Sequence, residues 1–88
     1  MDTTTLRTFI ALAQIKNFTK TAQQLFVAQS TVTNRIRDLE MELGVPLFIR
    51  SHKQVDLTPS GQKFLSYAQR FVSLELAALQ DIQSSPTY

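Results

Sequence analysis

Apolar residues recur at helical spacing in the middle of the chain. Four of them follow one another at intervals of 4, 3 and 4 residues: Val32, Ile36, Leu39 and Leu43. Successive helical residues turn by roughly 100°, so these four share one narrow stripe, which predicts an amphipathic helix over about residues 30–43. The opposite face and its flanks carry short polar or cationic side chains: Ser30, Asn34, Arg37, Thr31 and Thr33. A solvated helix would more usually carry long Glu and Lys side chains there.

Two shorter helices are predicted before this one. The first covers about residues 4–16, with Asp2 or a nearby threonine as its N-cap and with a buried stripe of Leu6, Phe9, Ile10 and Ala13. The second covers residues 20–26, is capped by Thr19, and is expected to bury Ala22, Leu25 and Phe26. A brief link over residues 27–29 leads into the amphipathic helix.

The pattern changes after Gly44 and Pro46, which are typical of a helix end. Residues 47–50 and 55–57 are short β-prone runs on either side of a basic tip at residues 51–54, which predicts a small hairpin. Thr58 and Pro59 then resemble an N-cap and a first helical residue, and nothing interrupts a helix from Pro59 to about Gln83. Residues 84–88 are expected to fray.

Size and composition indicate one small domain, or a small domain with an extension. The chain has 88 residues, 43% of them hydrophobic, so its core is marginal and further burial through a partner subunit is expected. It has no cysteine, and no apolar run approaches the ~18 residues of a membrane span. The N-terminus lacks the pattern of a signal peptide. A cytoplasmic location away from membranes is therefore expected.

The distribution of charge is more informative than the net charge of +2. Between Lys16 and Lys53 there are six basic and three acidic residues, and the acidic ones cluster late in the amphipathic helix. The start of that helix and the hairpin tip are left basic. This arrangement suits a polyanion, although an ordinary solvated surface would also explain it.

The order of these elements and their residues resembles the DNA-binding part of a LysR-type transcriptional regulator. The resemblance covers essentially the whole chain and rests on fragments in the family's order: residues 6–9, 18–22, 29–33, 36–40, 43–48, Arg50 and 57–61. It implies a mainly α fold, in which a winged helix-turn-helix of three helices and a β-hairpin wing (residues 1–58) precedes a long dimerisation linker helix (residues 59–88). The family's effector-binding domain would be absent from this chain.

Two positions depart from the family pattern. Ala28 stands where the family usually has a serine that caps the recognition helix, a loss of roughly 1 kcal/mol unless Ser30 or a bound phosphate compensates. Asn34 and Arg35 stand where Arg followed by Gln is common. This second change affects base preference, because Asn and Arg favour different bases.

The resemblance implies sequence-specific binding to double-stranded DNA, with the recognition helix in the major groove. The candidates for reading bases are Gln29, Thr33, Asn34, Arg35 and Arg37. The candidates for holding phosphates or the wing contact are Lys20, Ser30, Thr31, Arg50, His52 and Lys53. Structural alternatives stay open for three of them: Arg37 could pair with Glu40, Arg35 could lie along the core edge, and His52 could be a plain surface residue.

The apolar side of the long helix is the predicted dimer interface, although the helix could also pack on its own domain. The residues expected there are Phe64, Leu65, Ala68, Phe71, Val72, Leu76 and Leu79. A two-fold homodimer, or a tetramer in the full-length protein, would bind a pseudo-palindromic site. This chain is not expected to bind the small-molecule effector, a cofactor or a metal.

Two other classes of function fit the residues less well. In a protein-interaction module the helix would dock on another protein, a possibility that the exposed Met41 favours and the lack of aromatic anchors disfavours. An enzyme is not expected, because the chain has one histidine, no cysteine and no glycine-rich phosphate loop.

Overall fold

A computed structural model of the protein describes residues 1–51 and 54–84. His52 and Lys53, two of the candidate wing residues, lie outside the described residues, as does the tail 85–88. Within the described part the elements follow the predicted order: α1 (Thr3–Ile15), α2 (Phe18–Leu25), α3 (Gln29–Leu43), β1 (Phe48–Arg50), β2 (Val55–Leu57) and α4 (Pro59–Gln83). The mainly α winged architecture is confirmed.

Side chains cap the first two helices, but only one of the predicted caps is correct. The Asp2 carboxylate accepts a hydrogen bond from the Thr5 amide at 2.8 Å, as expected for α1. For α2 the cap is Asn17, whose carboxamide accepts from the Lys20 amide at 2.8 Å, so the helix begins before the predicted Thr19 cap. Asn and Thr are both good caps, and here Thr19 lies inside the helix that Asn17 caps.

The prediction that Phe26 is buried is wrong. Phe26 follows the last residue of α2 in the left-handed conformation, with φ 58°, and its ring is 94% exposed. The helical periodicity that placed it beside Ala22 and Leu25 does not apply, because the helix has already ended. Ala22 is buried as expected, and Leu25 is half-buried.

The core lies where α1 crosses α3, the wing and α4. Phe9 is completely buried, and its ring centroid lies 5.4 Å from that of Phe48 and 5.3 Å from that of Phe64. The predicted stripe of α3 faces this core, with Val32 and Ile36 fully buried. The first three helices and the wing therefore share one hydrophobic interior, to which α4 contributes Ala68.

The wing is a two-stranded antiparallel sheet, as predicted. Phe48 pairs with Leu57 and Arg50 with Val55. The Thr58 amide donates to the Leu47 carbonyl at 3.0 Å just outside the strands. This bond brings the start of α4 directly against the base of the wing.

The start of α4 is bonded to the residues on both sides of it. The Thr58 hydroxyl accepts from the Gly61 amide at 2.9 Å and donates to the Pro46 carbonyl at 2.7 Å, while Pro59 is the first helical residue. A Cβ atom on Gly61 would lie 2.2 Å from the Leu47 carbonyl oxygen. The predicted cap is confirmed, and the close approach adds a reason why residue 61 has no side chain.

The two halves of α4 have different surroundings. The helix packs on α1 as far as Glu75, and Ala68 is 0% exposed within a single chain. The prediction that Ala68 lies at the dimer interface is therefore wrong, because Ala68 has no exposed surface that a partner could contact. The carboxylate of Glu75 accepts from the Thr3 hydroxyl at 2.6 Å and from Arg7 at 3.2 Å, and these two bonds hold its pKa below the usual value.

Beyond Glu75 the apolar side chains of α4 are exposed. Leu76, Leu79 and Ile82 are 46%, 49% and 72% exposed. This projecting end gives the molecule its elongated shape of 57 × 26 × 19 Å. No helix among the described residues is long and apolar enough to cross a membrane.

Candidate nucleic-acid interface

The first half of α3 presents a polar surface. Its buried stripe holds one side of the helix against the core, so Gln29, Ser30, Asn34 and Arg37 are exposed on the other side. Thr31 and Thr33 are half-buried along its edges. Amides, hydroxyls and a guanidinium on one convex helix face can form hydrogen bonds with base edges and phosphates in a major groove.

The start of α3 has no side-chain cap. Ala28 has extended backbone but makes no capping hydrogen bond, so the first amides of the helix keep their donors free of side-chain partners. The Gln29 side chain is bonded to α2, because its carboxamide oxygen accepts a hydrogen bond from the Thr19 hydroxyl at 3.2 Å. This contact leaves the NH₂ group of Gln29 without a partner in the part of the chain that the structure describes, so it can serve as a donor.

The two arginines of α3 are placed differently. Arg35 donates to the Thr8 hydroxyl of α1 at 3.2 Å, which turns its guanidinium toward the body of the domain. Arg37 lies 3.7 Å from the Asp38 carboxylate, and both side chains are more than half exposed. Such a pair is weak in water, so Arg37 is easily released to a phosphate or a base, whereas Arg35 would first have to leave Thr8.

Glu40, near the end of α3, was not predicted as a site residue. One of its carboxylate oxygens accepts from the Leu47 amide at 2.7 Å, and the other lies 4.0 Å from Arg50. The guanidinium carbon of Arg50 lies 4.8 Å from the centroid of the Phe18 ring. The predicted phosphate ligand Arg50 thus lies between α3 and α2. No sequence pattern pairs residues 40 and 50, since the wing brings them together.

Further basic groups surround this cluster. Lys20 is exposed in the first turn of α2, and no ion pair with it is found within residues 1–51 and 54–84. Lys16 lies 3.2 Å from the Asp56 carboxylate.

No group of three or more His, Asp or Glu side chains that could hold a metal ion is present among the described residues.

The predicted dimer residues include only Phe71 from a second apolar stripe on α4. Tyr67, Phe71 and Leu74 are 55%, 49% and 69% exposed, and Ala78 is exposed as well. Their spacing of 4, 3 and 4 residues could have identified them. The other predicted residues lie on a different face, where Phe64, Leu65 and Val72 are half-buried against the core and Leu76 and Leu79 are exposed beyond it.

Comparison with known proteins identifies one family. Residues 3–62 match the sequence model described as "Bacterial regulatory helix-turn-helix protein, lysR family". The transcriptional regulator HdfR of Escherichia fergusonii is 40% identical over 82 residues, which are 93% of this chain and 29% of that protein. The chain therefore spans under a third of the length of this curated relative.

Two solved structures in complexes with DNA are also similar. The first is the BenM DNA-binding domain with benA site 1 DNA, which has a TM-score of 0.89 and 34% identity over 94% of this chain and 96% of that one. The second is the CbnR DNA-binding domain with DNA, with a TM-score of 0.82 and 39% identity over 96% and 94% of the two chains.

Proposed function

This chain belongs to the LysR family of bacterial regulatory helix-turn-helix proteins and carries its DNA-binding domain, and from that premise we propose how it recognises DNA. The first half of α3 enters the major groove and reads bases, while groups around it hold phosphates. The observation that carries this proposal is the exposure of Gln29, Ser30 and Asn34 on a helix whose Val32 and Ile36 are completely buried.

The roles of the α3 side chains follow from their donors and acceptors. The carboxamides of Gln29 and Asn34 match adenine N6 and N7, and Thr33 offers a hydroxyl or a methyl group to a thymine. Arg37 suits guanine O6 and N7. Arg35 can act in the same way only after it leaves Thr8, so we place it at the edge of the contact.

Phosphates are held on both sides of α3. Lys20 and Arg50 offer charged donors, Ser30 offers its hydroxyl and backbone amide at the uncapped helix start, and Thr31 offers its hydroxyl. We assign His52 and Lys53, which lie between the two wing strands in the sequence, to the minor groove or its bordering phosphates. The bacterial cytoplasm, where the duplex DNA lies, is the compartment proposed.

A homodimer is proposed through α4. The exposed stripe of Tyr67, Phe71, Leu74 and Ala78 has the spacing of a two-helix seam. Leu76 and Leu79 continue the other apolar face of α4 and are exposed where that face projects beyond the domain. Residues 59–88 then act as the linker helix and residues 1–58 as the DNA-binding unit. Two-fold symmetry would place two α3 helices about 34 Å apart, or a multiple of that, on a pseudo-palindromic site. Tetramer formation and effector binding are assigned to a longer protein.

Base reading is tested by deleting one amide. A duplex is first selected from a random-sequence library. Asn34→Ala should cost about 1–3 kcal/mol of binding free energy on that duplex and little on unselected DNA. Gln62→Ala removes another exposed amide, on α4, and serves as the control. Equal losses for Asn34→Ala on both duplexes would refute a base-reading role.

A salt titration distinguishes DNA binding from a protein-interaction module. Affinity for the selected duplex should fall steeply with salt, with a log–log slope of about −0.9 per phosphate contact. A protein interface of this size would show a much shallower dependence. An affinity that does not change between low and moderate salt would contradict the proposal.

The dimer is tested by placing a charge in the stripe. Phe71→Glu should convert the dimer to a monomer in sedimentation velocity, because an unpaired carboxylate would be buried at the seam. Ser73→Glu adds the same charge to the opposite, exposed face of α4 and should leave the dimer intact. If both variants sediment like the parent protein, α4 does not form the interface.

A further inference from the structure

We propose that Glu40 is a positioning residue for the phosphate contact of the wing. It ties the base of β1 to the end of α3 and holds Arg50 where a phosphate can meet it. This inference rests on the proposed function, because it concerns how one of the assigned phosphate ligands is oriented.

The first part of the argument is the bond between Glu40 and the wing. One carboxylate oxygen accepts from the Leu47 amide at 2.7 Å and from the Phe48 amide at 3.3 Å. The Glu40 side chain is only 19% exposed, so these charge-assisted bonds are shielded from water. They fix where the wing strand starts relative to the recognition helix.

The second part is the restraint on Arg50. The other Glu40 oxygen lies 4.0 Å from Arg50 Nη2, and the Phe18 ring lies 4.8 Å from the guanidinium carbon. A long arginine side chain loses conformational entropy when it binds a phosphate, and contacts made before binding reduce that cost. Arg50 remains 47% exposed, so guanidinium donors stay available for DNA.

A simple charge argument makes the opposite prediction. A carboxylate beside a DNA interface repels phosphates, so removing it should strengthen binding. If Glu40 positions Arg50, then Glu40→Gln should weaken binding to the selected duplex about tenfold, as expected for the loss of one charge-assisted bond. Glu42→Gln removes the same charge two residues away and should leave binding unchanged or slightly tighter.

The decisive test replaces single phosphates with neutral methylphosphonates along the selected duplex. Neutralising the phosphate held by Arg50 should lower the affinity of the parent protein and of Glu42→Gln for the duplex about tenfold. It should not change the affinity of Arg50→Gln. Glu40→Gln should lose most of this penalty. Phe18→Leu, which removes the ring beside Arg50 without touching the Glu40 bonds, should lose part of it. Thermal unfolding of each variant checks that the domain is folded.

Three outcomes would overturn the role of Glu40. In the first, Glu40→Gln keeps the full loss of affinity at that phosphate. In the second, Glu40→Gln binds the selected duplex at least as tightly as the parent protein. In the third, no phosphate has an effect that depends on Arg50. In each case the parent protein's preference for the selected duplex over random DNA would still support the proposed function. Loss of that preference in the parent protein would instead refute the proposed function itself.

Discussion

The starts of α3 and α4 have nearly the same backbone and opposite chemistry. The residue before each helix is extended, with φ −70° and ψ 151° at Ala28 and φ −73° and ψ 168° at Thr58. Thr58 caps α4 with its hydroxyl, whereas Ala28 has no group that could cap α3. One helix start is bonded within the protein, and the other leaves its first amides to an outside partner.

The difference matches the positions of the two helices in the fold. The start of α4 is enclosed by the wing and by the Pro46–Leu47 segment, where an unsatisfied amide or carbonyl would be costly. The start of α3 is exposed, where water or a phosphate can complete its hydrogen bonds. The enclosed helix start is therefore capped by a side chain of the protein, and the helix start where DNA is proposed to bind is not.

The largest effect is expected from Gly61→Ala. The new Cβ atom would lie 2.2 Å from the Leu47 carbonyl oxygen, and because this is backbone the helix or the wing must move. We expect a loss of about 3 kcal/mol or more in unfolding free energy, measured by thermal or urea unfolding. Gly44→Ala is the control, because a Cβ atom on Gly44 would meet no other atom within 4 Å. The only cost there is the left-handed backbone, with φ 75°, which should lower the unfolding free energy of the alanine variant by about 1 kcal/mol. Equal losses would show that the contact at residue 61 is not strained.

Thr58→Val should have the second largest effect. The variant keeps the shape but loses the cap to Gly61 and leaves the Pro46 carbonyl without its donor. We expect about 2 kcal/mol of destabilisation, as the sum of a lost cap and an unsatisfied acceptor. Thr58→Ser retains the hydroxyl and should lose much less in the same unfolding experiment. If the valine and serine variants unfold alike, the hydroxyl does not stabilise this joint.

Ala28→Asp tests whether the start of α3 faces a polyanion. The carboxylate would cap the helix and favour its dipole, so the protein should become more stable by about 1 kcal/mol. The same carboxylate should repel DNA phosphates and weaken binding about tenfold, as a single charge-assisted contact would. Ala28→Asn supplies a neutral cap of the same size and should bind more tightly than Ala28→Asp. Equal affinities would place this helix start away from the DNA.

Ala28→Ser should have the smallest effect. A serine hydroxyl can accept from the first amides of α3, which now have no side-chain partner, and should add about 1 kcal/mol of stability. Thermal unfolding of Ala28→Ser beside the parent protein measures this gain, since alanine offers no capping group. A serine variant no more stable than the parent would mean that the Thr19–Gln29 contact already compensates for the missing cap.

Local patterns predicted most of the fold. The stripe of α3, the left-handed Gly44, the hairpin and the Thr58–Pro59 start all depend on residues close in sequence, and each is present. The patterns failed where two local signals competed. Asn17 caps α2 before Thr19 could, and Phe26 ends the helix that was expected to bury it.

The candidate site divides in the same way. The polar face of α3 could be read from its sequence, because helical spacing separates it from the buried stripe. The turn of Arg35 toward Thr8 and the contact of Glu40 with the wing could not be read. These contacts join residues 27 and 7 positions apart, and only the packing of α1 and the wing against α3 creates them.

The sequence alone determined which segments are helices, where the recognition helix turns its polar face, and the family to which the pattern is similar. Short-range periodicity and capping encode those features, since each depends on neighbours within a few residues. Only the tertiary structure decided which of the two apolar faces of α4 is buried within the domain. Ala68 is enclosed by its own domain and the stripe around Phe71 stays open, because burial depends on which distant element packs against a face.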